Sequence, residues 1–140
     1  MSNRSKAKIL IVDDDPTVRK ILEILLMSAG YEVATADDGA SAVSHLSTTV
    51  PDLLVTDLDM PHMSGVELIS HVRGRHPSVP IVAMSGNYRG DAVAAGVIAD
   101  RFYQKGEPSH NLLTTIATLI ATNSARESDL DSRIRPALDS

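Results

Sequence analysis

The sequence predicts an α/β protein with a doubly wound, five-stranded parallel sheet and helices on both faces. Short apolar runs rich in β-branched residues alternate with runs of helical period along most of the chain. The length of 140 residues and the apolar fraction of 43% suit one domain with a substantial core. Because crossovers between parallel strands are right-handed, successive helices cover both faces of such a sheet.

The first strand and the helix that follows it are clear from the sequence. The run Lys8–Val12 is short, apolar and β-branched, as in a strand that is buried on both faces. Asp15 suits the N-cap of a helix, Pro16 suits its first turn, and Gly30 suits its end. Between Pro16 and Gly30, apolar residues recur at helical spacing: Val18, Ile21, Leu22 and Leu25.

The remaining elements continue the alternation. Strands are predicted over residues 31–36, 52–56, 80–84 and 101–104, and helices over residues 40–47 and 90–96. Two further helices are predicted from the apolar stripes Val66, Leu68, Ile69, Val72 and Leu112, Leu113, Ile116, Leu119, Ile120. We therefore divide the chain into an N-terminal tail (1–6), one folded domain (7–122) and a polar C-terminal tail (123–140). The polar tail has no sustained period, and we expect it to be frayed or disordered.

The composition argues against several classes of protein. The formal net charge of −5 disfavours direct binding of nucleic acid, which needs a basic patch to neutralise phosphates. No apolar run approaches the roughly 20 residues that span a bilayer, and no signal peptide is visible, so we expect no membrane insertion. The chain has no cysteine and therefore no disulfides, and we expect a cytoplasmic location.

Charged and polar side chains follow the carboxyl ends of four predicted strands. Asp13 and Asp14 follow the first strand and Asp57 follows the third. Ser85 follows the fourth strand and Lys105 follows the fifth. Since doubly wound sheets bind ligands beyond the carboxyl ends of their strands, we expect these side chains to converge on one rim.

Clustered carboxylates need a compensating partner. Two unit charges about 4 Å apart repel by about 4 kcal/mol at an effective dielectric constant of roughly 20. Asp59 adds a possible fourth carboxylate, while Lys105 can offset only one charge. Hard oxygen ligands favour Mg²⁺ (or Mn²⁺), which also shares phosphate oxygens. A carboxylate nucleophile, a metal, an ammonium and the hydroxyl of Ser85 form a set suited to phosphoryl transfer onto Asp57.

These residues carry a family resemblance. The chain resembles the receiver domains of two-component response regulators in four motifs: Asp13-Asp14, Asp57 with Met60-Pro61-His62-Met63-Ser64-Gly65, Ser85-Gly86 and Lys105. The resemblance covers residues 7–122, which we therefore interpret as a receiver domain. It implies a flavodoxin-like sheet with the strand order 2-1-3-4-5.

The resemblance also implies the roles of the acidic residues. Asp57 is the phosphoacceptor, and Mg²⁺ or Mn²⁺ is the cofactor. Asp14 is implied to ligate the metal directly and Asp13 mainly through water. The backbone carbonyl of Asp59 completes the protein ligands, together with Asp57 itself.

Three further residues receive roles from the resemblance. Lys105 contacts the phosphoryl group, Ser85 is the switch hydroxyl that moves toward it, and Phe102 is the aromatic side chain that changes rotamer with the switch. The implied donor is a phosphohistidine on a sensor histidine kinase or a histidine phosphotransfer protein. The output surface is implied to be the helix predicted over residues 90–96, the fifth strand and the last helix, which bind an unknown downstream protein. Such a protein is no enzyme in the ordinary sense, although it takes part in its own phosphorylation and autodephosphorylation.

One position departs from the family pattern. Gly106 follows Lys105 where the family usually has a proline after a cis bond. A cis bond before a residue other than proline costs about 2.5–4 kcal/mol. The bond is therefore either trans or held cis at a cost, and we expect a rearranged loop. The segment between Ser85 and Lys105 is also slightly short, and its predicted helix is weakened by glycines.

Two alternative functions compete with a phosphoacceptor switch. One is a degenerate receiver that docks partners without phosphorylation, to which Gly106 gives some weight. The other is a phosphohydrolase that forms an aspartyl-phosphate, because Asp57-Leu58-Asp59 resembles the nucleophile motif of that class. That motif normally follows the first strand, and here it follows the third. We expect a stand-alone receiver, since few residues follow Thr122.

Overall fold

A five-stranded parallel sheet forms the centre of the protein. The computed structural model describes residues 6–86 and 99–123. The strands are β1 (Lys8–Val12), β2 (Glu32–Ala36), β3 (Leu53–Asp57), β4 (Ile81–Ser85) and β5 (Arg101–Gln104). Their order is β2-β1-β3-β4-β5, and every neighbouring pair is parallel. The predicted fold class and strand order are confirmed, and each strand lies within one residue of its predicted bounds.

Helices connect the strands and flank both faces of the sheet. They are α1 (Pro16–Ser28), α2 (Gly39–Leu46), α3 (Gly65–Arg75) and α4, which covers residues 109–123 of the described chain. The helix predicted over residues 90–96 lies outside the described residues. None of the described helices combines the length and apolar character needed to cross a membrane.

Helix α1 begins as predicted, and Val18, Leu22 and Leu25 of its apolar spacing pack into the core. The carboxylate of Asp15 accepts hydrogen bonds from the backbone N–H groups of Thr17 and Val18, which caps the helix. Leu22 and Leu26 are the buried residues, whereas 59% of Ile21 is exposed. Ile21 shares the helical spacing but lies outside the face that packs against the sheet.

The core consists of two apolar clusters on opposite faces of the sheet. Successive side chains of a strand point to opposite faces, so Leu10 and Leu54 join one cluster and Ile9 and Leu53 join the other. Residues of α2 and α3 complete the first cluster, and residues of α1 and α4 complete the second. Strands β3 and β4 are buried at every position, because helices cover both of their faces.

This arrangement fixes the positions of the polar strand ends. In the paired strands, Asp57 lies beside Met84 and Ser85 lies beside Gln104. Asp13 directly follows β1, and its backbone N–H continues the β1–β2 pairing by bonding the carbonyl of Ala36 at 3.2 Å. The rim at the carboxyl ends of the strands therefore collects the predicted site residues.

A capping box at the start of α3 offers a test of how this helix is held. The hydroxyl of Ser64 accepts from the backbone N–H of Glu67 at 3.2 Å, and the Glu67 carboxylate accepts from the Ser64 N–H at 3.0 Å. We expect Ser64→Ala to lower the free energy of unfolding by about 1 kcal/mol. The matched control is Ser70→Ala at an exposed position inside the same helix, where alanine is neutral or stabilising. Urea unfolding measures both, and equal losses in the two variants would contradict the capping role.

Candidate functional site

Three carboxylates meet at the carboxyl rim of the sheet. Asp13, Asp14 and Asp57 each offer one oxygen atom, and these atoms lie within 4.8 Å of one another. Asp13 is fully buried and Asp57 is 2% exposed, whereas Asp14 is exposed. Two of the three acidic groups are therefore removed from water, and their charges must be compensated within the protein.

The position of Asp13 is fixed on three sides. Its Oδ1 atom accepts from the backbone N–H of Asp15 at 2.9 Å. Its carbonyl oxygen accepts from the guanidinium of Arg19 at 2.8 Å, and its N–H donates to Ala36. Its Oδ2 atom is buried and has no hydrogen-bond partner among the described residues, but it lies 2.9 Å from the ammonium nitrogen of Lys105. The ion pair thus provides the compensation for this oxygen.

Lys105 joins two of the carboxylates. Its ammonium nitrogen lies 2.9 Å from Asp13 and 3.2 Å from Asp57, and its side chain is 26% exposed. Burial alone would lower the pKa of Lys105, but its contacts with the two carboxylates outweigh burial and raise the pKa above the usual value. The ammonium is therefore charged at neutral pH.

The carboxyl group of Asp57 has a raised pKa. Burial is the main cause, and the charge of Asp13 adds to it. The backbone N–H of Asp59, which donates to Oδ1 of Asp57 at 3.2 Å, acts in the opposite direction, as does the ammonium of Lys105. One carboxylate oxygen thus faces a backbone donor and the other faces the ammonium.

The residues of this rim fit the magnesium ion that the family resemblance implies. All three clustered ligand atoms are carboxylate oxygens, which Mg²⁺ prefers. The ammonium of Lys105 is the partner that the described chain offers the buried Oδ2 atom of Asp13, and it brings only one positive charge to three acids. A divalent cation would complete the charge balance.

The hydroxyl of Ser85 contacts the side chain of Asp59. It donates to Oδ2 of Asp59 at 3.3 Å, while the backbone of Asp59 donates to Asp57. Asp59 thus connects the candidate switch hydroxyl to the candidate phosphoacceptor. Nothing in the sequence predicted a hydrogen-bond partner for the carboxylate of Asp59. The sequence shows only that Asp59 lies two residues after Asp57, and this spacing does not predict the contact with Ser85.

Gly65 allows helix α3 to begin against the backbone of Asp57, the candidate phosphoacceptor. Its N–H donates to the carbonyl of Leu58 at 3.2 Å, and a Cβ atom at Gly65 would overlap the backbone carbonyl of Asp57. A Cβ atom at Gly39 would instead meet the side chain of Met63. The start of α3 is therefore in direct backbone contact with the loop that carries the site.

The turn after Lys105 has the rearranged form that Gly106 led us to expect. The described residues contain no cis peptide bond, and Gly106 has a φ of 100°. This left-handed conformation favours glycine. Lys105 still reaches Asp13 and Asp57 from this trans turn, so the absence of proline has not removed the ammonium from the site. Phe102, the predicted switch aromatic, is 39% exposed on β5.

Fold and site together define a class of protein. A doubly wound sheet in this strand order carries, at its carboxyl rim, a buried acidic cluster with a lysine and a hydroxyl. Residues 9–117 match the family described as the response regulator receiver domain. The chain belongs to this family, whose members are receiver domains of two-component systems.

Relatives and solved structures agree with this assignment. The transcriptional regulator NtrC of Escherichia coli strain K12 is 34% identical over 96 residues, which are 69% of this chain and 19% of that protein. PrrA of Mycobacterium leprae is 38% identical over 95 residues, which are 68% of this chain and 41% of PrrA. The chain thus spans less than half the length of these relatives.

Two solved structures resemble most of the chain. Response regulator TrrA from Thermotoga maritima, solved in complex with Mg²⁺ and BeF, is 27% identical with a TM-score of 0.76, covering 81% of this chain and 98% of TrrA. The chemotaxis protein CheY4 of Vibrio cholerae is 30% identical with a TM-score of 0.73, covering 82% of this chain and 99% of CheY4. These likenesses extend over nearly the whole of both solved chains.

The backbone contact at Gly65 predicts a difference between two glycines of one helix. We expect Gly65→Ala to lower the free energy of unfolding by about 1–3 kcal/mol, because the new methyl group must displace backbone. The same variant should weaken Mg²⁺ binding, since the carbonyl it displaces belongs to Asp57. Gly74→Ala meets open space and should be neutral or stabilising by up to about 1 kcal/mol. Urea unfolding measures the stability of both variants, and calorimetric titration measures their Mg²⁺ affinity. Equal stability and equal affinity of Gly65→Ala and Gly74→Ala would contradict the close approach at Gly65.

The raised pKa of Asp57 predicts a pH-dependent gain in stability for Asp57→Asn. A carboxyl group with a higher pKa in the folded state destabilises the fold when ionised, and this penalty disappears as the pH falls through that pKa. Without divalent cations, the variant should resist urea better than wild type at neutral pH, and its advantage should shrink on acidification. Lys105 keeps Asp13 as a partner in the variant.

Asp37→Asn is the control for this pH dependence, because Asp37 is an exposed aspartate that is not one of the three clustered carboxylates. The two unfolding series are compared over the same pH range. If the Asp57→Asn variant were no more stable than wild type at neutral pH, this result would contradict a destabilising effect of the buried, ionised carboxylate.

Proposed function

We propose that Asp57 accepts a phosphoryl group from a phosphohistidine of a sensor histidine kinase or histidine phosphotransfer protein. Receiver domains as a family take phosphoryl groups from histidine kinases and act as signalling switches rather than as ordinary enzymes. The observation that carries the proposal for this chain is the placement of the Lys105 ammonium, 3.2 Å from Asp57 and 2.9 Å from Asp13. An ammonium at that position can neutralise a phosphoryl oxygen on Asp57.

The transfer requires little beyond positioning and charge. A carboxylate oxygen of Asp57 forms a bond to phosphorus while the phosphorus–nitrogen bond of the donor breaks, and the imidazole keeps the electron pair. No general base is required, because the nucleophile is the ionised carboxylate. The N–H of Asp59 orients the Oδ1 side of the nucleophile, and Lys105 faces Oδ2.

The metal site belongs to the same proposal. Asp13, Asp14 and Asp57 would hold Mg²⁺ or Mn²⁺, with the backbone carbonyl of Asp59 as a further ligand. The cation would supply positive charge beside the transferred phosphoryl group. Asp13 is already immobilised, while the exposed Asp14 can adjust its side chain to the ion.

A change of hydrogen-bond partner would turn phosphorylation into a signal. In the unphosphorylated protein the hydroxyl of Ser85 donates to Asp59. A phosphoryl group on Asp57 offers a dianionic acceptor nearby, and charged acceptors form the stronger hydrogen bonds. We propose that Ser85 then moves to the phosphoryl group and that Phe102 changes rotamer with it, which alters the surface that binds an unknown downstream protein.

The cellular setting follows from the same proposal. NtrC is named as a DNA-binding regulator, but for this chain, with a net charge of −5, we propose a protein partner and no direct contact with nucleic acid. A cytoplasmic location is proposed because the donor histidine would be there. The trans turn at Gly106 leaves Lys105 in contact with both acids, which favours the phosphorylated switch over a docking module that needs no phosphorylation.

Incubation with acetyl phosphate tests the proposed chemistry directly. We expect intact-mass spectrometry to detect one phosphoryl adduct on wild type in the presence of Mg²⁺ and none after Asp57→Ala. Mg²⁺ depletion with a chelator should abolish the adduct on wild type, because the buried acids then lack their second source of positive charge.

Asp52→Ala is the matched control, since Asp52 is an exposed aspartate that follows no strand end of the rim. This variant should give the same adduct as wild type. Steady release of inorganic phosphate with many turnovers would instead favour the phosphohydrolase. Absence of both an adduct and beryllofluoride binding in wild type would favour the docking module.

A further inference from the structure

The turn that presents Lys105 is held by contacts that the family motif does not contain. The backbone leaves β5 at Gln104, passes Lys105, turns at Gly106, which is in the left-handed conformation, and closes onto Glu107. The N–H of Glu107 donates to the carbonyl of Gln104 at 3.0 Å. The Glu107 carboxylate accepts from the N–H of Gln104 at 2.8 Å. Two hydrogen bonds between the same two residues therefore bracket the lysine.

Tyr103 fixes the far side of this turn. Its ring belongs to the core cluster between the sheet and helices α1 and α4, and the residue is only 8% exposed. Its hydroxyl donates to the carbonyl of Glu107 at 2.7 Å. A short hydrogen bond from a side chain with few alternative rotamers ties the turn to the core. The amide of Asn111 adds a longer contact of 3.4 Å to the Glu107 carboxylate.

These contacts lie where they control the ammonium. The N–H of Lys105 donates to the carbonyl of Ser85 at 3.0 Å, which holds the near side of the residue against β4. The far side depends on Gly106, which stands where the family usually has proline, and on Glu107, whose backbone is restricted by the following Pro108. Glycine has the widest choice of conformations of any residue, so this side needs an external constraint.

We propose that Tyr103 and Glu107 are positioning residues for Lys105, which hold by hydrogen bonds a turn in which the family usually has proline. The inference rests on the proposed function in one respect, because that function has Lys105 bind the phosphoryl group and not the metal. Loosening the turn should therefore weaken binding of a phosphoryl mimic while leaving the metal ligands intact. A purely structural role would weaken both kinds of binding together or neither.

Tyr103→Phe removes the hydroxyl and keeps the packed ring. We expect this variant to bind beryllofluoride about fivefold more weakly than wild type in saturating Mg²⁺, as loss of one hydrogen bond implies. Its Mg²⁺ affinity without beryllofluoride should not fall by more than about twofold, because the variant leaves all three carboxylates in place. Tyr31→Phe is the matched control, since Tyr31 lies at the opposite end of the sheet and should change neither affinity.

A double-mutant cycle shows whether the effect passes through the lysine. In a Lys105→Gln background, Tyr103→Phe should no longer change beryllofluoride affinity, because the group it positions is absent. Glu107→Ala should reproduce the weakening in the presence of Lys105. Glu107→Gln should restore most of the affinity, since an amide oxygen can still accept from the N–H of Gln104. An undiminished Tyr103→Phe effect in the Lys105→Gln background would overturn the proposal.

A metal-free measurement separates this inference from the proposed function. When two carboxylates hold the Lys105 ammonium, its protons exchange slowly with water and give a ¹H–¹⁵N signal, assignable from its loss in Lys105→Arg. We expect the signal in wild type and Tyr31→Phe, and its broadening or loss in Tyr103→Phe. Failure of wild type to bind beryllofluoride would count against the proposed function alone. An unchanged ammonium signal in Tyr103→Phe would count against the positioning role, whatever the function.

Discussion

The ammonium of Lys105 lies between two carboxylates that the fold has removed from water, and the other features of the rim depend on this contact. Asp13 follows β1 and Asp57 ends β3, which are neighbouring inner strands, and both side chains are buried. Buried acids are tolerated only when a charge or a set of donors compensates them. One lysine cannot balance three acids, and the remaining negative charge is what makes the rim receptive to a cation.

The acids differ in how firmly they are held, and this difference follows from the backbone. Asp13 is bound through its N–H, its carbonyl and both carboxylate oxygens, so its position is set before any ligand arrives. The carboxylate of Asp57 contacts one backbone donor and one ammonium. Asp14, which follows Asp13 in the chain, is exposed to solvent. A site of this kind combines a fixed ligand with an adaptable one, which suits an ion that keeps part of its water shell.

Much of the fold and of the rim could be predicted from the sequence, because both depend on local patterns. The apolar β-branched runs end at polar residues, and parallel strands bring those ends together, which located Asp13, Asp57, Ser85 and Lys105. Individual roles and the strand order needed the family resemblance. Three features depend on tertiary distances and escaped local reasoning: the exposure of Ile21, the contact between Ser85 and Asp59, and the hydrogen bonds that close the turn at Glu107. The periodicity of α1 allows either Ile21 or Leu26 to lie on the buried face. Only the packing against the sheet selects Leu26.

The close approach at Gly65 limits how this sequence can vary. A Cβ atom at Gly39 would meet the side chain of Met63, and a shorter residue at position 63 could relieve that contact. The atoms that crowd Gly65 are the backbone of Asp57 and Leu58, which every amino acid shares. No side-chain substitution elsewhere removes these atoms, so a residue larger than glycine at this position must displace backbone. In an engineered library, a substitution at position 65 would carry this cost in every background, whereas the cost at position 39 would depend on the residue at position 63.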